Sequence, residues 1–284
     1  MTVLLTIGDF SRMTHLSVKA LRHYHDVGLL EPAEIDRSSG YRFYVADQVP
    51  IAQVIRRFRD LGMPVDEVKS VLDAPDVRTR NQVIVAHLER REKSRGLSPG
   101  HVRLSLALET PRGFLAVEEI ARSSNRIATM SIGVEDYCLE LGVEPSADGI
   151  ELMYPVAHLV TVCKVVGVQP TGLVGSIAGF RDLATFEQAA QRARQLGCEG
   201  AGCIHPDQVT VLNRVFTPDS AKVEHARRVV EAFEEGVRRG TASVNLDGRM
   251  VDVPVYKRAQ VVLARARVIE ETERRKAQAL ARSA

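Results

Sequence analysis

Apolar residues recur with helical spacing in short segments between Thr6 and Asp73. The first segment begins at Thr6, a typical N-cap residue with Asp9 three residues later, and a second begins at Ser17. Only a tight turn separates the two segments, and Gly28 ends the second. Two short helices across so tight a turn predict a helix-turn-helix.

A turn-rich segment follows and leads into alternating aromatic and basic residues between Asp36 and Tyr44. This pattern predicts a short β-hairpin, or wing. Helical spacing then returns in three segments: Ala46–Leu61, Pro64–Leu72 and Asn81–Arg95. The last of these helices would extend only ~22 Å at 1.5 Å per residue.

Glycine and proline interrupt the chain at Gly96–Gly100, which predicts a domain boundary because these residues cannot continue a helix. Beyond this boundary, apolar strand candidates alternate with helical segments, as is typical of βα units around a parallel sheet. The strand candidates are Val102–Leu108, Arg126–Ile132, Gly172–Ile177 and Gly200–Ile204. Helices are predicted over Ala116–Arg122, Tyr137–Leu141, Pro155–Val166, Thr185–Leu196 (with Thr185 as its cap), Ser220–Arg239 and Pro254–Ser283.

Composition and charge exclude several classes of protein. Residues 1–96 hold 15 Lys and Arg against 13 Asp and Glu, and the remainder is balanced, so neither half coats nucleic acid indiscriminately. Apolar runs such as Leu152–Cys163 are shorter than the ~20 residues of a membrane span, and the N-terminus lacks a secretory pattern. The four cysteines show no spacing typical of a zinc site or a disulfide framework. We therefore expect a cytoplasmic protein of one or two domains with no membrane partner.

The second predicted helix has a basic face, formed by Lys19, Arg22 and His23. Such a face suits entry into the major groove, where Arg and Lys contact phosphates or guanine edges. The hairpin would contact the flanking phosphates through its cations and phenol hydroxyls. The residues that carry these groups are Arg37, Tyr41, Arg42 and Tyr44. The alternative is that these are solvated charges on a small helical domain. The combination of tight turn, basic helix and basic-aromatic hairpin favours DNA binding.

Three segments, Thr6–Ser11, Leu21–Leu30 and Ser39–Tyr44, closely resemble the MerR-family winged helix-turn-helix domain. The resemblance covers roughly residues 3–73 and implies a homodimer or higher homo-oligomer on double-stranded promoter DNA, joined through a coiled coil. It adds Tyr24 to the expected DNA contacts, and we also include Ser17, at the start of the second helix. The cysteines of metal-sensing members are absent from this half.

Carboxylates follow the first two strand candidates of the second half. Glu109 comes directly after one strand, and Asp136 lies shortly after the next. Functional residues collect at these strand ends in parallel βα arrays. Two carboxylates completed by water and a substrate carboxylate suit Mg²⁺. A helix cap or a surface salt bridge is the alternative for either residue.

Four segments of this half resemble the HpcH/HpaI aldolase and citrate lyase β-subunit family: Leu106–Gly113, Gly133–Asp136, Cys203–Gln208 and Leu246–Pro254. The resemblance runs from about residue 102 to 267. It implies a Mg²⁺-dependent TIM barrel that cleaves or forms carbon–carbon bonds in acyl-CoA or 2-oxo acid substrates. It also implies that Glu109 and Asp136 are the metal carboxylates, and that Asp252 is catalytic in a neighbouring subunit's site.

A complete barrel takes ~250 residues and eight strands, whereas four strand candidates follow residue 102. The predicted fold class is α/β: an α-rich winged helix-turn-helix domain over residues 1–75, a dimerisation helix over 76–96, a linker over 97–101, and a partial (β/α) TIM-barrel-like domain over 102–284. An uncovered half-barrel would expose two sheet edges. A second copy completing the barrel, a folded remnant, and an artificial or accidental junction all remain open.

These observations favour a MerR-type transcriptional regulator whose partial lyase-like domain would sense an organic acid or a CoA ester. The competing function is a Mg²⁺-dependent carbon–carbon lyase that carries a DNA-binding domain. A fusion without function is the third alternative. His205, at the end of the fourth strand candidate, is expected to be a hydrogen-bonded structural residue.

Overall fold

The computed structural model describes residues 3–283, without the side chains of Val77 and Ser283. Backbone contacts divide the chain into two compact units. The N-terminal unit runs to Arg103 and includes Ser123–Arg126, and the C-terminal unit comprises Leu104–Arg122 and the residues from Ile127 onward. Each unit has a hydrophobic core of its own.

The N-terminal unit begins with one strand and two helices: β1 (Leu4–Thr6), α1 (Ile7–Thr14) and α2 (Val18–Asp26). Thr6 caps α1 by accepting a hydrogen bond from the backbone nitrogen of Asp9 at 3.1 Å. Ser17 caps α2 in the same way, with the nitrogen of Ala20 at 3.1 Å. Between the helices, His15 takes the left-handed conformation with φ of 55°. The predicted helix-turn-helix is confirmed, whereas β1 is not foreseen by the sequence pattern.

Strands β2 (Glu34–Ile35) and β3 (Arg42–Val45) form an antiparallel hairpin, and β1 pairs with the other edge of β3. The Asp36 carboxylate shapes the turn by accepting hydrogen bonds from the backbone nitrogens of Ser38 and Ser39, at 2.8 and 2.7 Å. A hairpin therefore lies where the sequence predicts one. Its role as a DNA-binding wing stays a prediction.

Three longer helices complete this unit: α3 (Val49–Asp60), α4 (Val65–Leu72) and α5 (Val77–Ser94). Helix α5 begins four residues before the predicted start at Asn81, because Asp76 caps it by accepting a hydrogen bond from the backbone nitrogen of Thr79 at 2.7 Å. Its 18 residues extend ~27 Å, which is longer than the sequence predicts. The core of the unit is built from buried apolar side chains such as those of Phe10, Leu21 and Ile55.

A buried ion pair lies at the end of α5. The two guanidinium Nη atoms of Arg126 lie 2.7 and 3.0 Å from the carboxylate oxygens of Glu92. The same carboxylate accepts hydrogen bonds from the backbone nitrogens of Gly100 and Val102, at 3.0 and 2.7 Å. The Arg126 hydrogen bonds lower the pKa of Glu92 to about 2. This network therefore fixes the backbone that follows α5.

Three parallel strands form the main sheet of the C-terminal unit in the order β4 (Leu104–Leu108), β5 (Ile127–Ile132) and β6 (Gln169–Pro170). Side chains alternate between the two faces of the sheet. Leu108, Met130 and Ile132 belong to the main core of the unit. The opposite face carries small polar residues, among them Ser105 and Thr129, whose hydroxyl oxygens are 2.6 Å apart. Strands β4 and β5 confirm the first two predicted strands.

Helices lie between and after these strands: α6 (Pro111–Leu115), α7 (Val117–Arg122), α8 (Val134–Leu141), α9 (Ile150–Val166), α10 (Leu183–Leu196) and α11 (Pro206–Phe216). Their order agrees with the predicted βα units. Helix α10 is capped by Asp182, which accepts a hydrogen bond from the backbone nitrogen of Thr185, so the prediction of Thr185 as the cap is wrong. The partial barrel stays a prediction.

The third and fourth predicted strands are also wrong. The segment Gly172–Ile177 is irregular because Gly172 and Gly175 have φ values of 149° and 146°, outside the range of a β-strand. The sheet uses the preceding residues of β6 instead. The segment Gly200–Ile204 also lacks strand structure.

A second, smaller core lies among the last four elements of the C-terminal unit: α12 (Ser220–Arg238), β7 (Val244–Leu246), β8 (Arg249–Val251) and α13 (Val253–Ser283). Its buried members include Ala226, Val229, Phe233, Val251 and Ala259. Both predicted helices are confirmed, and the β7–β8 hairpin is not foreseen. Among the described residues, no helix has the length and apolar composition that a bilayer span requires.

Candidate functional sites

The basic face of α2, which comprises Lys19, Arg22 and His23, is exposed along its length. Leu21 points to the core and is fully buried. Within residues 3–283, neither Lys19 nor Arg22 has a carboxylate within ion-pair distance. Ser17 is exposed at the start of the helix, where its hydroxyl oxygen serves as the cap. The face therefore presents positive charge that no carboxylate of the described chain neutralises.

The hairpin adds a third exposed cation and a phenol. Arg37 and Tyr41 are both exposed, Tyr41 by 46%. Asp36, beside Arg37, is committed to the turn, where hydrogen bonds from Ser38 and Ser39 hold its pKa well below its usual range. Arg37 has no ion-pair partner in the part of the chain that the structure describes. Its charge is therefore available to an external anion.

Arg42 connects the hairpin to α2. Its Nε donates a hydrogen bond to Nδ1 of His25 at 2.9 Å, and its Nη2 lies 3.7 Å from a carboxylate oxygen of Asp26. The Arg42 side chain is 24% exposed as a result. These contacts hold the hairpin against the helix that carries the basic face, and a direct contact between Arg42 and DNA stays a prediction.

Two residues expected to contact DNA are buried instead. Tyr24 is 5% exposed and Tyr44 is fully buried, and both belong to the core of the N-terminal unit. Tyr44 stacks on Phe10, with ring centroids 4.4 Å apart. The Tyr44 hydroxyl is itself buried, so we remove Tyr44 from the expected contacts. A contact between Tyr24 and DNA stays a prediction.

Glu109 lies at the carboxyl end of β4, beside Gly133 at the end of β5. A hydrogen bond from the backbone nitrogen of Gly133 to the carbonyl of Leu108, 2.9 Å long, joins the two strand ends. A Cβ atom added to Gly133 would lie only 2.5 Å from Cγ of Glu109. The absence of a side chain at Gly133 therefore leaves the space that the Glu109 side chain occupies.

Asp136 lies in the first turn of α8, directly after β5, and is exposed. Its neighbour Glu135 accepts a hydrogen bond from the Ser176 hydroxyl at 2.5 Å. Among the described residues, Glu109 and Asp136 have no ion-pair partner, and no group of three or more His, Cys, Asp or Glu could hold a metal. Carboxylates are the ligands of a hard cation that takes its other ligands from water and substrate. A metal site at Glu109 and Asp136 stays a prediction.

Asp252, the predicted catalytic residue, immediately precedes α13. Its carboxylate accepts a hydrogen bond from the backbone nitrogen of Val255 at 3.1 Å, and its carbonyl accepts one from Tyr256 at 2.9 Å. These contacts make Asp252 the cap of the helix. Its proposed catalytic role rests on the resemblance alone.

Gln208 is a structural residue of this region that the sequence pattern does not single out. It is fully buried, donates a hydrogen bond to the carbonyl of Ile177 at 3.2 Å, and accepts bonds from the backbone nitrogens of Ile204 and His205. It thereby fixes the loops before α10 and α11. The run His205-Pro206-Asp207-Gln208 has the form of a capping box with Pro at N1, which could have indicated α11. His205 is the N-cap of α11, so it is a hydrogen-bonded structural residue as expected, but no strand ends there.

Comparison with known proteins decides the family. The model of the HpcH/HpaI aldolase/citrate lyase family matches residues 47–206. The chain is 37% identical over 209 residues to citrate lyase subunit beta of Escherichia coli K12, covering 73% of this chain and 68% of that protein. The chain belongs to the HpcH/HpaI aldolase/citrate lyase family. A second model, MerR HTH family regulatory protein, matches residues 5–75, so the chain also carries a MerR helix-turn-helix.

Two further relatives define the extent of the likeness. L-malyl-CoA/beta-methylmalyl-CoA lyase of Cereibacter sphaeroides is 29% identical over 213 residues, covering 69% of this chain and 65% of that protein. The crystal structure of a citrate lyase from Burkholderia xenovorans LB400 has a TM-score of 0.56 at 20% identity, covering 70% of this chain and 62% of that one. This likeness shows the lyase fold. The chain spans about two thirds of the length of these relatives.

The two family matches overlap over residues 47–75. The lyase-family match therefore starts before residue 102, where the sequence analysis begins the lyase-like segment, and it includes α5. The boundaries predicted at residues 75, 96 and 101 stay predictions.

Proposed function

We propose that this protein is a MerR-type transcriptional regulator that binds double-stranded promoter DNA through its N-terminal unit. The observation that carries the proposal is the exposure of Lys19, Arg22 and Arg37, none of which has a carboxylate partner within residues 3–283. An unpaired surface cation can replace the counterions around phosphates without first breaking an ion pair, so it is suited to contact with nucleic acid.

The elements that carry these cations suggest how the duplex is contacted. In a helix-turn-helix, the second helix enters the major groove, and here that helix is α2, with Lys19, Arg22 and His23 on its exposed face. Arg37 and Tyr41 extend from the hairpin toward solvent and would contact the flanking phosphates. The Arg42–His25 hydrogen bond holds hairpin and helix together for this purpose.

The lyase-family segment would supply the sensing part of the regulator. Glu109 and Asp136 would hold Mg²⁺, which when bound polarises a carbonyl group of its ligand. The protein itself contributes two free carboxylates, and Gly133 leaves room for the first of them. The ligand class is an organic acid or a CoA ester, because its carboxylate or thioester oxygen could complete such a site. A partial TIM barrel is the architecture that we propose for this segment.

Selection from a random pool of duplexes tests the DNA-binding function for any operator sequence. The full chain would be incubated with random duplexes of about 30 base pairs, long enough for two half-sites. We expect one sequence to be enriched, and the Lys19→Ala/Arg22→Ala double variant to lose the enrichment. An Arg267→Ala variant, which removes an exposed cation of α13, is the matched control. A pool that stays random with the unmodified chain would refute the proposal.

A carbon–carbon lyase is the second candidate function, favoured by the free Glu109 and Asp136 carboxylates at adjacent strand ends. It requires Mg²⁺-dependent cleavage of an acyl-CoA or 2-oxo acid, and this activity must disappear in Glu109→Gln. The control is Glu118→Gln, which removes an exposed carboxylate paired with Arg122. Absence of turnover across a panel of such substrates at millimolar Mg²⁺ would exclude this function.

A further inference from the structure

A cavity of about 590 Å³ lies between α12 and α13 in the C-terminal unit. Its volume falls within the range of ordinary small-molecule sites. It shares no residue with the carboxylate pair at Glu109 and Asp136. We call it the α12–α13 cavity.

The floor of the α12–α13 cavity is apolar. Three of its lining residues, Ala226, Val229 and Ala259, are buried members of the second core, and Val255 and Val262 are half-buried. Small and β-branched side chains here leave space between the two helices instead of filling it. An aliphatic chain laid on this floor would remove apolar surface from water on both sides, which is favourable in proportion to the area.

The rim of the cavity is basic. Lys222, His225 and Arg258 are exposed around it, and Asp219 is the single acidic residue of its lining. The Asp219 carboxylate already accepts a hydrogen bond from the backbone nitrogen of Lys222 at 2.7 Å and lies 3.7 Å from the Lys222 ammonium. Asp219 therefore compensates Lys222, and among the described residues Arg258 has no carboxylate partner.

From this arrangement we infer that the α12–α13 cavity binds an aliphatic carboxylate. The chain lies on the valine and alanine floor, and the carboxylate pairs with the Arg258 guanidinium, with His225 as a second donor. A guanidinium matches a carboxylate with two parallel hydrogen bonds, which explains an acid head group in preference to an alcohol or amide. The inference that the acid binds depends only on the lining of the cavity. The role of this acid as an effector rests on the proposed regulatory function.

Calorimetric titration of the full chain with octanoate tests the inference. We expect saturable binding at one site, weakened about tenfold in Arg258→Gln because a charge-assisted hydrogen bond is lost. Arg267→Gln removes a cation from the same helix outside the cavity and should bind octanoate as the unmodified chain does. Octanamide, which has the same chain without the charge, should bind more weakly than octanoate by a similar factor.

Three results would overturn the inference: no saturable heat with octanoate, equal binding of octanamide, or unchanged affinity in Arg258→Gln. The titration contains no DNA, so its outcome is independent of the proposed regulatory function. Duplex selection on the same preparation separates the two. Enrichment without octanoate binding refutes the cavity site alone, and octanoate binding without enrichment refutes DNA binding alone.

Discussion

Tyr44 and Tyr41 lie three residues apart on one hairpin, yet the structure gives them opposite environments. Tyr44 is fully buried, whereas Tyr41 is 46% exposed. Successive residues of a strand face opposite sides, so Arg42 and Tyr44 share the side of β3 that faces inward. That two-residue period is present in the sequence. The expected contact between Tyr44 and DNA is wrong because it assumes that all the basic and aromatic residues of the hairpin face outward, whereas the two-residue period turns Tyr44 inward.

The Tyr44 hydroxyl is buried without a hydrogen-bond partner among the described residues, and burial raises its pKa. We expect Tyr44→Phe to raise the free energy of unfolding by up to about 1 kcal/mol, since it removes an unsatisfied polar group. Duplex affinity should not change. Urea unfolding and duplex titration measure the two quantities, with Tyr41→Phe as the exposed control. A Tyr44→Phe protein that folds but no longer binds the duplex would place this hydroxyl at the DNA.

Gly133 determines the position of Glu109, because a Cβ at Gly133 would lie 2.5 Å from the Glu109 Cγ. We expect Gly133→Ala to displace the Glu109 carboxylate and to weaken Mg²⁺ binding ~10-fold. Titration calorimetry with Mg²⁺ measures the effect. Gly202→Ala is the matched control, because a Cβ at Gly202 meets no atom within 4 Å. If Gly133→Ala binds Mg²⁺ as tightly as the unmodified chain, Glu109 is not a ligand.

At the scale of elements, one buried ion pair holds the end of α5 and the segment that follows it in place. Its two residues, Glu92 and Arg126, are 1% and 4% exposed. The folded state lowers the pKa of Glu92 from 4.5 to about 2, chiefly through hydrogen bonds from Arg126. A carboxyl group with a lowered pKa stabilises the folded state above its unfolded pKa. We therefore expect this stability to be complete above pH 4.5 and to be lost as the pH falls toward 2.

Thermal unfolding as a function of pH measures this contribution. In Arg126→Met the Tm at neutral pH should fall by about 10 °C, because the Glu92 charge is left buried without its partner. The part of the acid sensitivity that comes from Glu92 should weaken in the same variant. Arg122→Met, which breaks the exposed pair with Glu118, should change Tm little. Equal Tm values for the two variants would show that the buried pair is unimportant.

Helices can be predicted well where an N-cap residue directly precedes apolar residues at helical spacing, as at Thr6 and Ser17. The strands after β5 are predicted poorly because their positions depend on tertiary contacts. The apolar run Gly172–Ile177 resembles a strand, but the positive φ angles at Gly172 and Gly175 turn the backbone away. The hairpin β7–β8 has only three residues in each strand, which is too short for a periodic pattern.

In the whole molecule, the sheet of the C-terminal unit has one face on the core and one face of small polar residues. Ser105 and Ala107 of β4 are exposed, and β4 pairs with a single neighbour, β5. Parallel sheets are normally covered on both faces. This uncovered face and edge support the proposal that the protein functions as a homodimer or higher homo-oligomer, in which another copy covers the sheet.

Sedimentation equilibrium of the full chain tests this proposal. We expect a mass at least twice the 31.3 kDa of one chain, with and without Mg²⁺. The Ser105→Arg variant, which adds a charge to the exposed face, should shift the equilibrium toward the monomer, and Ser243→Arg at the exposed position before β7 is the control for added charge. A monomer at micromolar concentration would contradict the proposed assembly.

The central claim is that the unpaired cations of α2 and the hairpin bind duplex DNA, and the salt dependence of affinity for the selected duplex tests it most directly. The logarithm of the association constant should fall linearly with the logarithm of the salt concentration, because phosphate contacts release counterions. Arg22→Ala should weaken binding by about 1–3 kcal/mol, and Arg267→Ala should leave it unchanged. Affinity without any salt dependence, or equal affinity in Arg22→Ala and the unmodified chain, would contradict the claim.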